Sequence, residues 1–326
     1  MKPNDSRKPS YKKCVRAIQM FFRENLNLRK DESFLIITDE FAWDLSRRLW
    51  QIAIEKYPYT YVMAYSSHES RPKKADRLLA FIRNADVTLF VAREFPFLWE
   101  DFCISNDSKT RWAGLIGIEA DQFIKLIDGD NKALEHDTQK LRDVLTLGKR
   151  LTIQVDSDHS LSFEIQHPTC TADTGIVQKY GEMSFPPGGR VLVRAVEGSA
   201  AGDLLINGSL TAVGIPRSPV RFLIKGGRLV KIYSKEDIEA FRALLRTKKR
   251  NRRTLVRVGI GLNPRGRMTG NTFIDERANG LVHLTFGDSA DYRSHILNPT
   301  LPAATLKKAT VKIDNKVILK RGKLVV

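Results

Sequence analysis

The sequence predicts an α/β chain in two parts: an N-terminal doubly wound parallel-sheet domain, then a mostly antiparallel β (α+β) C-terminal domain. Three observations carry this. Strand and helix patterns alternate through residues 1–155, and short strand patterns between turn signals fill residues 156–326. A length of 326 residues also suits two domains.

In the first part, FLIIT (34–38) is a continuous apolar run, as expected for a strand covered on both faces. Residues 42–56 follow with helical spacing of Trp43, Leu45, Leu49, Ile52 and Ile54. YVMAY (61–65) and VTLFVA (87–92) read as further strands around a helix at 72–84, and GLIGI (114–118) as a short fourth. Amphipathic stretches at 119–127 and 131–148 then lead to LTIQV (151–155). Open parallel sheets bind ligands at the carboxyl ends of their strands. Here the first strand runs into acidic, bulky TDEFAWD, and no glycine-rich phosphate loop follows any strand, so a nucleotide site is not expected.

The second part has turn signals at PPGG (186–189), NG (207–208), KGG (225–227) and DN (314–315). The segments VLVRA, DLLIN, VRFLI, RLVKI, VKID and VILK between them read as antiparallel strands. One helix interrupts them: Ser234 and Asp237 have capping-box spacing ahead of Ile238, Phe241 and Leu245.

The charge is unusual. Fifty-four Lys+Arg against 37 Asp+Glu give +17, a field that attracts polyanions. Arg246, Lys248, Lys249, Arg250, Arg252 and Arg253 form a block without an acidic residue. It reads as a solvated helix end that complements the helix dipole, as a patch steering an acidic partner, or as a nucleic-acid contact. Neither a nucleic-acid module nor an aromatic platform accompanies it, so nucleic acid ranks last. The three cysteines, Cys14, Cys103 and Cys170, lack metal-ligand spacing and fit a reducing cytoplasm. No signal-peptide pattern and no run of about 18 apolar residues is seen, so no membrane partner is expected.

Three stretches resemble a known family. GIGLNPRGRMTGNTFIDERANGLVHLTFGD (259–288), PPGGRVLVRAVEGSAAG (186–202) and LPAATLKKATVKID (301–314) are similar to motifs of the aminopeptidase T-like (thermophilic leucyl aminopeptidase) metallopeptidases. The resemblance implies a two-metal site of two glutamates, two histidines and an aspartate, in a homodimer. Carried over by position, the glutamates fall on Arg190 and Arg257, one histidine on His283, and the last two ligands on Leu301 and Ala303. Guanidinium donates hydrogen bonds and accepts none, so it cannot ligate a cation. One ligand of five survives, and neither metal nor another cofactor is expected. His295 lies off the motif register. His283 is then either a satisfied core group or a polar contact in the former cleft.

Swapping carboxylates for arginines turns a cation site into an anion site. The expectation is therefore a non-catalytic peptide-binding pseudo-aminopeptidase. It would hold an acidic or precursor peptide at Arg190, Arg257, His283, Asn263 and Arg267, with a modifying enzyme as a further partner. A narrower resemblance is to the peptide-binding proteins of crocagin biosynthesis. Two other classes stay open: a metal-independent peptide-modifying enzyme using Glu276 and His283, and a nucleic-acid-binding protein using residues 246–253.

Overall fold

The computed structural model describes residues 10–68, 78–93, 110–167, 170–246, 252–287 and 301–325. The chain divides into two compact units, residues 1–132 with 175–187, and residues 133–174 with 188–326.

The first unit opens with α1 (Tyr11–Met20), whose N-cap Ser10 accepts from the Lys13 N–H, and which continues into a π-helical turn, Phe21–Asn25. Next come β1 (Phe34–Asp39), α2 (Trp43–Ala53), β2 (Thr60–Tyr65), β3 (Val87–Ala92), β4 (Arg111–Ile116) and α3 (Ala120–Ile127). β1, β3 and β4 are buried at every position, as the unbroken apolar runs of FLIIT and VTLFVA require. With β8 (Met183–Ser184) these strands form an all-parallel sheet of order β2-β1-β3-β4-β8. Phe90 stacks on Trp112 at 5.6 Å, and Phe21 meets Phe123 edge-on at 5.1 Å. Arg111, fully buried, forks onto Glu32 with two 2.8 Å bonds; its own burial opposes the charge of Glu32, but this guanidinium holds the carboxyl below the usual range.

The second unit starts within α4 (Asn131–Thr146) and contains a large antiparallel sheet. Its strands are β5 (Arg150–Gln154), β6 (Ser160–Glu164), β7 (Thr171–Asp173), β9 (Arg190–Arg194), β10 (Ala201–Ile206), β11 (Val220–Lys225) and β12 (Arg228–Tyr233). The rest are β13 (Thr254–Gly261), β14 (Val282–Gly287), β15 (Ala303–Leu306), β16 (Thr310–Ile313), β17 (Lys316–Lys320) and β18 (Lys323–Leu324). The parallel sheet followed by this antiparallel one is the predicted architecture.

Two details differ from the sequence reading. LTIQV does not close the first unit: β5 pairs with β6 and β16 in the antiparallel sheet, and the first break falls at residues 132/133 rather than 155/156. A period-2 run shows that a strand exists, but not which sheet will take it. The helix after β12, α5 (Glu239–Leu245), starts later than Ser234 suggests. Ser234 bonds locally to Glu236, and Asp237 accepts from the Glu239 N–H at 2.8 Å, so the aspartate holds the helix start.

Phe222, on β11, sits at the centre of the second unit's core. It stacks on Phe241 of α5 at 5.7 Å and meets Phe286 of β14 at 5.9 Å. All three rings are fully buried. Phe222→Ala should therefore destabilise the protein by roughly 3–5 kcal/mol, the usual range for a large core truncation. Urea unfolding checks this, and a loss under about 1 kcal/mol would show that the aromatic cluster is not the centre of the core.

Candidate functional site

β13 is central to the site, with β9 on one side and β14 on the other. The register places Arg190 opposite Gly261, Arg257 opposite Arg194, and His283 opposite Gly259. The glycines of GIG thereby have a physical explanation. A Cβ on Gly259 would fall inside the imidazole of His283, and one on Gly261 would collide with the backbone of Glu276, Arg277 and Ala278. The short helix α6 (Thr272–Asp275) is capped by the Asn271 side chain, which accepts from the Phe273 N–H. Its C-terminal end delivers Glu276 and Arg277 to the same place.

The result is a buried ionic network. Arg190 donates through Nε to Asp173 at 2.8 Å and through Nη1 to Glu276. Arg277 reaches Asp173 at 3.4 Å and bonds the Phe273 carbonyl, and both guanidiniums lie against the Phe273 ring. His283 Nε2 stands 3.7 Å from the Glu276 carboxylate. Arg257 adds its positive charge to both Glu276 and His283. Among the described residues, the guanidiniums of Arg190, Arg257 and Arg277 and the carboxylates of Asp173 and Glu276 meet here. Arg190 Nη2 and both ring nitrogens of His283 find no hydrogen-bond partner among the described residues. Buried polar atoms of this kind call for an explanation.

Electrostatics decides the protonation states. Burial, reinforced by Arg190, Arg257 and Arg277 against the opposing pull of Glu276, drives His283 down to about 4. Burial works against the charge of Glu276, but His283 and the three arginines hold its carboxyl below the ordinary range. Burial and Arg190 pull Arg277 down to about 9, which leaves it charged at neutral pH. The site thus combines a neutral imidazole, an ionised carboxylate and three guanidiniums. Its cationic groups can stabilise an oxyanion.

Of the residues expected from sequence, Arg190, Arg257 and His283 come together. Asn263 and Arg267 do other work. The Asn263 side chain accepts from the Arg265 N–H and donates to the Gly188 carbonyl, while Arg267 curls onto the carbonyls of Pro264 and Gly266. Arg246 pairs with Glu239, Arg253 reaches the Leu229 carbonyl, and Arg252 is partly buried. Lys248, Lys249 and Arg250 lie outside the described residues, as do Cys103 and His295. Leu301 and Ala303 are buried, Ala303 on β15. Asp173 and Arg277 were not anticipated. Asp173 sits 17 residues before its partner Arg190, in a short edge segment with no motif.

The family described as NicX, 2,5-dihydroxypyridine 5,6-dioxygenase, matches residues 115–286, more than half of the chain. The chain belongs to this family. Among solved structures, 2,5-dihydroxypyridine dioxygenase from Pseudomonas putida KT2440 is similar at 12% identity, with a TM-score of 0.82 over 98% of each chain. AmpT from Thermus thermophilus is similar at 14% identity, with a TM-score of 0.69 over 97% of this chain and 99% of that one. Likeness at these identities speaks for the fold, and it bears out the aminopeptidase T-like architecture. No curated protein matches.

These findings correct the functional expectation. Membership in a dioxygenase family overturns the non-catalytic peptide-binding reading, together with the precursor-peptide pathway attached to it. Lost metal ligands are not equivalent to lost catalysis.

The metal implied by the aminopeptidase T resemblance does not fit the described residues. Among the described residues no group of three His, Cys, Asp or Glu could hold an ion. Arg190 also occupies the carboxylates that remain, and its charge opposes a cation beside His283.

The depressed His283 makes a pH prediction. In the unfolded chain it protonates near 6.5, but in the folded protein only near 4. Its contribution to stability is therefore complete above pH 6.5, declines as pH falls, and is gone below about 4. The 2.5-unit gap corresponds to roughly 3 kcal/mol. His283→Gln should flatten the fall in stability between pH 6.5 and 4 in denaturant titrations. A slope equal to that of the parent would show that His283 is not the buried neutral group described.

Proposed function

We propose that the chain is an oxygenase-like enzyme that binds a small hydroxylated aromatic ring, as its anion, at Arg190, Arg257 and His283. The observation that carries this reading is the convergence of the buried Arg190, Arg257 and Arg277 guanidiniums on a neutral imidazole. The family supports oxygenase-like chemistry, and the 2,5-dihydroxypyridine in its description is the first substrate to try.

The residues suggest a division of labour. The guanidinium field that makes His283 a weak base also acidifies a ring hydroxyl bound beside it, so the proton can pass to His283, whose imidazolium faces Glu276 across 3.7 Å. Arg190 and Arg257 hold the ring oxyanion, a role that needs charge but no metal ligands. Dioxygen is the co-reactant: both of its atoms enter the product as a ring bond breaks, so the ring is oxidised and dioxygen reduced without an external reductant.

Oxygen uptake and product mass with labelled dioxygen test this on 2,5-dihydroxypyridine, catechol and hydroquinone, using chelator-treated protein. Turnover should survive the chelator, and His283→Gln and Arg190→Lys should each lower kcat/KM by about 100-fold. No turnover on any of the three rings sinks the reading. So does activity that dies with the chelator and returns with a divalent ion.

The reading includes a reducing cytoplasm, supported by the free thiol of Cys170, and a homodimer, supported by the aminopeptidase T resemblance. No helix among the described residues is long and apolar enough to cross a membrane. Light scattering should return about twice 37.0 kDa at micromolar concentration, and the monomer mass would remove the dimer from the proposal.

A further inference from the structure

The first unit has a crevice of its own. The segments after β1, β3 and β4 enclose a cavity of about 640 Å³, within the size range of small-molecule sites. In the strand order β2-β1-β3-β4, the chain leaves β1 toward opposite edges of the sheet, which makes the β1/β3 junction a topological switch point. Asp39, buried at the end of β1, fixes the crevice on both sides. One carboxylate oxygen accepts from the Ala42 N–H at 2.9 Å, and the other from the Arg93 N–H at 2.7 Å. Ala42 and Arg93, which follow β1 and β3, are thus tied to one side chain.

The charges lining the crevice narrow the ligand. Two helices begin there, but each carries its own acids: Asp44 in the first turn of α2, and Glu119 and Asp121 at the start of α3. Those carboxylates already complement the helix dipoles, which disfavours a doubly charged phosphate more than a singly charged anion. Arg48 is neutralised by Asp44 at 2.9 Å. Arg93 is different: its guanidinium lies over the exposed Phe41 ring at 4.9 Å and forms no ion pair among the described residues. Ala92 and Ile118 add apolar wall.

We propose that this crevice is a second ligand site, for a planar aromatic carboxylate whose acid group pairs with Arg93 and whose ring packs against Phe41 and Ile118. A stacked guanidinium keeps its edge free for bidentate pairing, so one arginine can serve both contacts.

Calorimetry on the full chain with 2-naphthoate tests this, with 2-naphthylmethylamine as a ring of opposite charge and AMP as a phosphate. The expected result is saturable 2-naphthoate binding that weakens about tenfold in Arg93→Gln and severalfold in Phe41→Ala, with the amine and AMP at least about tenfold weaker. Hydrogen exchange of the parent protein should show protection at residues 40–48 and 117–121. Because the catalytic proposal concerns the other unit, protection confined to residues 254–287 would overturn this inference and leave that one standing. Absence of saturable binding, unchanged affinity in Arg93→Gln, or AMP binding as tightly as naphthoate would each overturn it as well.

Discussion

A buried guanidinium, that of Arg190, is the element on which the second unit's site depends. It joins Asp173, from the short strand before it, to Glu276, from the segment after α6. Separate pieces of chain are thereby held together by charge-assisted bonds in a dry interior. Such a network resists piecemeal change. Removing one partner leaves an uncompensated buried charge, which typically costs 3–5 kcal/mol, whereas an intact network contributes little net stability. Its value lies in position more than in energy. Arg190 orients Glu276, and the Glu276 carboxylate faces the imidazole of His283 at 3.7 Å.

The backbone contributes as much as the side chains. His283 can lie across β13 because its neighbour there is glycine, and α6 can bring Glu276 and Arg277 against the same strand because Gly261 has no side chain. Close approach on both sides of β13 compresses six ionisable groups into one buried volume. Compression sets their protonation states: each additional arginine makes it harder to protonate His283 and easier to ionise Glu276. A neutral imidazole beside a carboxylate is therefore a consequence of packing, not an independent feature.

Much of the fold was legible in the sequence. Continuous apolar runs marked β1 and β3, and alternating segments between NG and GG turns marked most of the antiparallel strands. The sheet to which β5 belongs was not legible, because strand periodicity carries no information about partners. The site was legible in part. Motif positions brought Arg190, Arg257 and His283 to notice, and the structure assembles them. Asp173 was invisible because its partner is distant in sequence, and Arg277 because an arginine inside IDERA reads as a solvated residue. Asn263 and Arg267 misled for the opposite reason: they lie in the recognisable stretch, but their hydrogen bonds are spent on nearby backbone.

The inference from missing ligands to missing chemistry deserves a physical correction. A metal ion in such a cleft contributes positive charge at a fixed point, which polarises an oxygen and stabilises the anion formed from it. Guanidinium supplies part of the same effect, with directional donors instead of coordination bonds. Two carboxylates exchanged for two arginines therefore reverse the sign of the site without emptying it of electrostatic work. What is given up is the ability to coordinate; what is kept is a fixed cationic field around His283. The family match spans Asp173, Arg190, Arg257, Glu276, Arg277 and His283 together, so the reversal lies within the matched region of the fold. The catalytic reading proposed for the chain rests on that retained field, in which an ionised Glu276 stands beside a neutral His283.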